Sequence, residues 1–288
     1  MPNTIALAKN YTSLLDEVYR MASVTADLTS DSTMSRAGAN ANEIIYPQIS
    51  VSGLGEYDRN SGYTTGAVDL RWKTAAFNYD RGTKISVDVM DNEESRNLAF
   101  GMAGATLMRE KVAPEADAFA FAALAALENI SKTTGTIDNA TQFLDALLTA
   151  WSKMDEDEVP QEGRMLYATA TLLNSVMALD TTKSREILGK FAVKKVVPQV
   201  RFYTAIDLLD GKTPGEEAGH YQKADTGTEI NFMIVHKPAI IKFDKHVASN
   251  IISAASNPDA DADIVKYRKY GIVDGYRNKR AGIYLNSK

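Results

Sequence analysis

The chain is predicted to be α+β, and three observations carry that prediction. First, apolar and polar residues alternate over residues 44–88. Ile45, Pro47, Ile49 and Val51 alternate with Tyr46, Gln48, Ser50 and Ser52; Val68, Leu70 and Trp72 with Asp69, Arg71 and Lys73; Ile85, Val87 and Val89 with Lys84, Ser86 and Asp88. Period two marks strands with one buried face. Second, residues 91–127 carry small and apolar side chains at steps of three and four, the period of a helix. Third, strand-like apolar runs recur at separate places in the second half. The first two strands form a long hairpin, and an isolated hairpin is marginal in water. A helix of roughly 35 residues runs about 50 Å, longer than an ordinary small domain is wide. Both features suit a chain that lays its limbs on copies of itself.

Composition narrows the choice. The 288 residues allow one large domain or two small ones, and 44% hydrophobic residues supply a core. Net charge is −5, from 32 basic and 37 acidic residues, which argues against general nucleic-acid binding. With no cysteine, disulfides, thiolate nucleophiles and iron–sulfur clusters are excluded. No apolar run reaches the ~20 residues of a membrane helix. Residues 1–20 lack the charged start and apolar block of a signal peptide.

Taken in order, residues 3–21 read as an amphipathic helix, with Leu7, Tyr11, Leu14, Val18 and Met21 on one face. Residues 25–42, rich in Ser, Thr, Asp, Asn, Ala and Gly, read as an extended linker. The helix before it either folds back on its own core or reaches a neighbour. The hairpin tip carries Gly53, Gly55, Gly62 and Gly66, with Tyr57, Arg59 and Tyr63 among them. Glycine permits irregular loops, and tyrosine offers rigid contact area to a partner. The other reading of the tip is an ordinary surface loop. The long helix is expected to start at Asp91, with Glu94 completing a capping box. Its stripe is Gly101, Ala105, Met108, Val112, Ala116, Phe119 and Ala123, and Pro114 is expected to bend it, or to split it into two abutting helices, because proline removes the bond to the carbonyl of Glu110. Beyond residue 135, helices are expected over 140–154 and 169–179. Strands are expected over 164–168, 194–200, 201–206, 230–235, 239–243 and 267–273, with a last one near 281–285. Residues 211–227 read as a polar loop.

A search for chemistry yields little. His220, His236 and His246 lack metal-ligand spacing, and His236 in an apolar strand reads as a packed histidine. No nucleophile elbow, phosphate loop or dinucleotide fingerprint is present. The run Asp155–Glu158 is a source of carboxylates for a metal or for acid–base work, but a charge run at a helix end is ordinarily a solvated face. Asp259, Asp261 and Asp263 have calcium-loop spacing, yet Ile264 and Tyr270 stand where that loop needs Gly and Glu. No catalytic, cofactor or metal residue is assigned.

Three groups of residues carry a resemblance. They are Phe77-Asn-Tyr-Asp-Arg-Gly82 with Val87-Asp-Val-Met-Asp-Asn-Glu-Glu94 and the long helix; Val159-Pro-Gln-Glu-Gly-Arg-Met-Leu-Tyr167; and Tyr267-Arg-Lys-Tyr-Gly271 with Asn278-Lys-Arg-Ala-Gly-Ile-Tyr284. In this order the chain resembles the major capsid proteins of tailed bacteriophages, with the Hong Kong 97-like fold. The resemblance implies an N-terminal arm (1–43), an extended loop (44–88), a spine helix opening a peripheral domain (89–137), an axial domain (138–235) and a return to the peripheral domain (236–288). It implies a non-enzymatic shell protein without cofactor, assembled in the host cytoplasm into hexamers and pentamers of itself and ending in the virion. Separate scaffolding, portal and decoration proteins and packaged double-stranded DNA would be its partners, with no membrane. Some members remove an N-terminal scaffolding segment, and here the sequence opens directly on the arm. Some crosslink loop lysines; Lys73 and Lys84 lie in that region and read as ordinary surface lysines. Gly53, Gly55, Tyr57, Arg59, Tyr63, Trp72, Leu7, Tyr11 and Leu14 are the expected assembly contacts. The competing readings are an encapsulin-type nanocompartment shell and a soluble metal-dependent hydrolase using Asp155–Glu158.

Overall fold

The computed structural model describes residues 18, 19, 22–30, 36, 37, 43–94, 98–179 and 181–288. The expected N-terminal helix, with Leu7, Tyr11 and Leu14, falls almost wholly outside them. The expected linker does not stay clear of the body. Val24–Leu28 forms a short 3-10 turn, with Thr25 and Leu28 buried.

Strands β1 (Arg36–Ala37), β2 (Glu43–Val51) and β3 (Val68–Ala76) make a small sheet in which β2 and β3 form the expected antiparallel hairpin. Its period is as predicted, but its buried face is the opposite one. Ile44 and Tyr46 of β2 and Ala75 of β3 are buried at the base, while Ile49, Val51, Val68, Leu70 and Trp72 are exposed. Alternation shows that a strand has two faces; what lies beneath decides which is covered. Here the base rests on Ile241 and Ile272, with the Tyr46 and Tyr276 rings meeting edge-on 5.1 Å apart.

The next strand, β4 (Tyr79–Asp88), is the third strand of the pattern and pairs outside the hairpin, although the resemblance counts it in the extended loop. A helix follows at Val89–Glu94, two residues earlier than predicted, and Asp88 Oδ1 rather than Asp91 accepts the Met90 N–H, at 2.9 Å. The spine continues as Leu98–Leu107, a π-turn at Met108–Val112 and a helix at Ala113–Ala125. The wide turn ends just before Pro114, where the missing N–H already interrupts the ladder. The Ala113–Ala125 stretch is covered on almost every side, not along one stripe.

Beyond the spine come β5 (Ser131–Thr134), the helix Ala140–Glu156, β6 (Arg164–Thr169), the helices Ala170–Leu179 and Thr182–Gly189, β7 (Val193–Val197), β8 (Ile206–Leu208) and β9 (Tyr221–Lys223). Three long strands and a short one close the chain: β10 (Ile230–His236), β11 (Ile240–Ile252), β12 (Ala262–Gly275) and β13 (Ile283–Ser287). Residues 201–206 are not a strand. Arg201 ends a 3-10 turn and only Ile206 enters β8.

β4 pairs with β12, which pairs with β11, in an antiparallel three-stranded sheet. The central five-stranded sheet runs β5-β13-β10-β6-β7. Both its faces are covered, so β6 and β10 read as unbroken apolar runs. Met165, Tyr167, Met233, Val235 and Leu285 face Phe121 and Leu124 of the spine. Leu166, Ala168, Phe232, Ile234 and Tyr284 face Phe143, Leu147 and Trp151 of the Ala140–Glu156 helix. The last strand, β13, thus lies between β5 and β10 in the sheet that also holds β6 and β7.

Candidate assembly surface

The distal arm presents an apolar face to solvent. Register pairs Ile49 with Leu70, Val51 with Val68 and Pro47 with Trp72, and directly opposed residues of an antiparallel ladder share a face. Their exposures are 60% for Ile49, 66% for Val51, 71% for Val68, 51% for Leu70 and 48% for Trp72. A contiguous apolar patch of this kind marks an interaction surface.

The tip, residues 52–67, extends that surface. Leu54, Tyr57 and Tyr63 stand fully or mostly exposed, and the two tyrosine rings meet edge-on at 4.8 Å. Asp58 and Gly62 close a tight turn, exchanging backbone hydrogen bonds of 3.2 and 2.7 Å. Gly62 has a φ of 80°, a conformation that favours glycine, and a Cβ on Gly55 would sit 2.2 Å from Thr64 Oγ1. Gly53 lies in open space, so neither room nor backbone angle requires glycine there. Arg59 is exposed beside the tyrosines. The structure thus gathers Gly53, Gly55, Tyr57, Arg59 and Tyr63 at the tip and sets Trp72 on the exposed face of β3. Leu7, Tyr11 and Leu14 lie outside the described residues. Sequence reasoning missed Ile49, Val51, Val68 and Leu70 as surface residues because alternation alone assigns them to the core.

Beneath the arm, buried charges hold the subunit together. Asp117, fully buried on the spine, accepts Ser23 Oγ–H at 2.7 Å, Val24 N–H at 2.9 Å, Thr25 N–H at 3.1 Å and Thr25 Oγ1–H at 2.7 Å. Arg201 Nη1 stands 3.2 Å from Oδ2, the oxygen that also takes the Val24 amide. Lys242 Nζ donates to Thr25 O and Oγ1, each at 2.6 Å. Burial drives the Lys242 ammonium down to about 8, against the pull of nearby Asp117.

Two residues earlier on the same helix, Glu115 accepts Arg81 Nε–H at 2.7 Å and Tyr79 O–H at 3.2 Å. Arg81 also donates to Leu209 O at 2.7 Å, tying the 209–220 loop to β4 and the spine. Burial works against the Glu115 charge, but His220, 3.6 Å away through Nδ1, and Arg81 outweigh it and hold its carboxyl below the ordinary range. These groups, with Lys84, Lys111 and Lys212, line a cavity of about 370 Å³. Its acids and bases are intermixed.

The acidic run at Asp155–Glu158 is only in part a solvated face. Asp155 Oδ1 binds the wholly buried Arg164 at 2.6 Å, and Arg164 also donates to Val159 O at 2.6 Å and Pro160 O at 3.1 Å while its guanidinium lies 4.3 Å above the Trp151 ring. Asp157 pairs with Lys153. Among the described residues, no three His, Cys, Asp or Glu side chains converge to hold a metal ion. The sequence did offer one signal for the anchors: Glu115 and Asp117 are the only charged residues in Ala113–Ala125.

By sequence the chain matches no protein-family model and no curated protein. By structure it matches several shells closely in extent. A structure from Mycobacterium phage Che8 superposes with a TM-score of 0.59 at 15% identity, over 92% of this chain and 90% of that one. The mature capsid of bacteriophage PhiM1 gives a TM-score of 0.57 at 11% identity, over 87% and 83%. A virus-like particle from Pyrococcus furiosus gives 0.59 at 9% identity, over 99% and 100%. The chain has the fold of phage capsid proteins.

Proposed function

We propose that this chain is a major capsid protein, a shell subunit that assembles with copies of itself into the head of a tailed bacteriophage. The carrying observation is the apolar outer face of the arm, Ile49, Val51, Val68, Leu70 and Trp72, left in water by the subunit's own fold. A two-stranded limb of this kind gains stability by lying on another surface. The likeness to capsid folds supports a neighbouring copy as that surface.

In this reading the N-terminal arm, apart from residues 22–30 that dock on their own subunit, and the hairpin arm reach neighbours, the spine and the β4-β12-β11 sheet form the shell wall, and the five-stranded sheet region gathers at hexamer and pentamer centres. Gly53, Gly55, Tyr57, Arg59, Tyr63 and Trp72 contact the neighbour, as do Leu7, Tyr11 and Leu14. Scaffolding, portal and decoration proteins are separate partners. Double-stranded DNA lies inside without sequence-specific binding, as a net charge of −5 favours. No enzymatic step is required: the work is burial, repeated over many interfaces. No helix among the described residues is long and apolar enough to cross a membrane.

An encapsulin-type shell is the second reading, favoured by the end-to-end correspondence with the Pyrococcus furiosus particle. The hydrolase reading is weakened because Asp155, the first carboxylate of its run, is committed to Arg164. The test is electron microscopy and size exclusion of the purified chain, alone and with its neighbouring gene products. Closed particles of regular size are expected, filled with DNA when taken from infected cells. A monomer that persists at high concentration would overturn the shell reading, and particles filled with a cargo enzyme would favour the second.

A further inference from the structure

We infer that residues 22–30 form a latch, docked on the spine by Asp117, that sets where the N-terminal residues leave the body of the subunit. The argument begins with who supplies the charge. Asp117, Arg201 and Lys242 all belong to the body, while the docking groups at residues 22–25 are neutral: the Ser23 and Thr25 hydroxyls, the Val24 and Thr25 amides, and the Ala22 and Thr25 carbonyls. Asp117 acts as a cap from a distance. The short turn at Val24–Leu28 receives no cap from its own Ser23 side chain, and its first two N–H groups both donate to this carboxylate. A turn whose free amides have no other acceptor depends on that one.

The latch is therefore separable from the body. When it lifts, the Asp117–Arg201 pair at 3.2 Å remains in place, and water can replace neutral hydroxyls and amides at the carboxylate. Leu28 is the one large side chain of the turn that enters the central core completely. Further along, Asp27 pairs with Lys195 at 2.8 Å, and the Ser30 amide donates to Lys242 O at 2.8 Å, so the segment is stitched to β7 and β11 as well as to the spine. Undocking would free all three attachments together and leave the described residues before 22 held by Tyr19 on Lys269 and Val18 beside Met108 and Tyr267. Asp117 is thus a positioning residue for assembly. That last step rests on the shell reading; the latch itself does not.

The experiment uses the full chain, unassembled and assembled, with two variants. Ser23→Ala with Thr25→Val removes the latch hydroxyls, and with them one of the two acceptors of Lys242 Nζ, but changes no residue of the body; Asp117→Asn removes the carboxylate charge. Hydrogen exchange at the Val24 and Thr25 amides is expected to accelerate at least about tenfold in the unassembled double variant, with Phe232–Ile234 of the central sheet unchanged. Yield of regular particles is expected to fall. Parental protection of both amides in the double variant would overturn the latch. Normal particles from a variant whose amides have become exposed would overturn its role in assembly. If the parent chain itself never forms particles, the shell reading fails while the exchange result still decides the latch.

Discussion

At the scale of single residues, the subunit depends on a few buried charges, each surrounded by acceptors or donors that would otherwise be stranded. Arg164 is the clearest. Arg164→Ala leaves the Val159 and Pro160 carbonyls without their donor and removes the guanidinium stacked on Trp151, and it is expected to cost about 3 kcal/mol in urea unfolding of the unassembled subunit. Arg164→Lys is expected to recover less than half, since one ammonium cannot satisfy the fork of acceptors. A cost below about 1 kcal/mol would show that the acceptors find water. Lys242 gives a pH signature. Unfolded, it titrates near 10.5; folded, near 8. Between those values the unfolded chain holds the extra proton, so this residue's contribution rises with pH through that window and is lowest, and constant, below about pH 8. Tyr221, pushed up to about 12 by burial, works the other way only above pH 10. Stability of the unassembled subunit is therefore expected to rise on the order of 1 kcal/mol from pH 8 to 9.5 and to stay flat over that range in Lys242→Met. Equal slopes in both proteins would remove Lys242 from the account. The sequence shows where such residues stand, a charge within an apolar run, but not what they meet. Asp117 and Thr25 are far apart in the chain, and only the folded spine brings them together.

At the scale of elements, the prediction belongs to the arm. Ile49 and Leu70 oppose each other on its exposed face, so Ile49→Ser with Leu70→Ser removes apolar surface that the subunit itself does not bury. The unassembled double variant is expected to lose no more than about 1 kcal/mol, the worth of one cross-strand pair, while forming few or no particles on electron micrographs. Parental particle yield would show that this face is not a contact. The arm is also where sequence reasoning succeeds and fails most clearly. Alternation identified two strands and their pairing. It could not say which side would be covered, because that depends on Ile241 and Ile272, nearly two hundred residues away. Elsewhere the limits have other causes. β6 and β10 were recognisable as short apolar runs because both their faces are buried. β11 and β12 are far longer than their apolar cores suggested: beyond Phe243 β11 has no buried residue and is largely polar, and Asp263, Lys266 and Arg268 interrupt the buried residues of the first half of β12. The Thr182–Gly189 helix went unseen because its start is a polar capping box, Thr181 with Ser184, where an acidic partner usually gives the signal. Pro114 reads as an interruption from sequence, and the form it takes is a π-turn before the proline in which Met108 is buried against Tyr267.

At the scale of the whole molecule, the fold divides into a centre that is complete alone and limbs that are not. The central sheet is closed on both faces by the spine and the Ala140–Glu156 helix, and its charges are paired internally. The arm has a covered base and an uncovered outer half. Local stability should follow the same division, because exchange protection tracks burial and backbone pairing rather than position in the chain. In the unassembled subunit the amides of Phe232–Ile234 are expected to exchange slowly, and those of Gln48–Ser50 and Asp69–Arg71 quickly, despite their complete ladder. If, as proposed, a neighbouring copy binds the folded, extended arm, mass action should protect the second group by two or more powers of ten and leave the first nearly as it was. Uniform protection of both groups on assembly would point to a general tightening of the subunit. Strong protection of the arm already present in the monomer would mean that the limb is stable by itself, and that its apolar face has some other use than contact with a neighbouring copy.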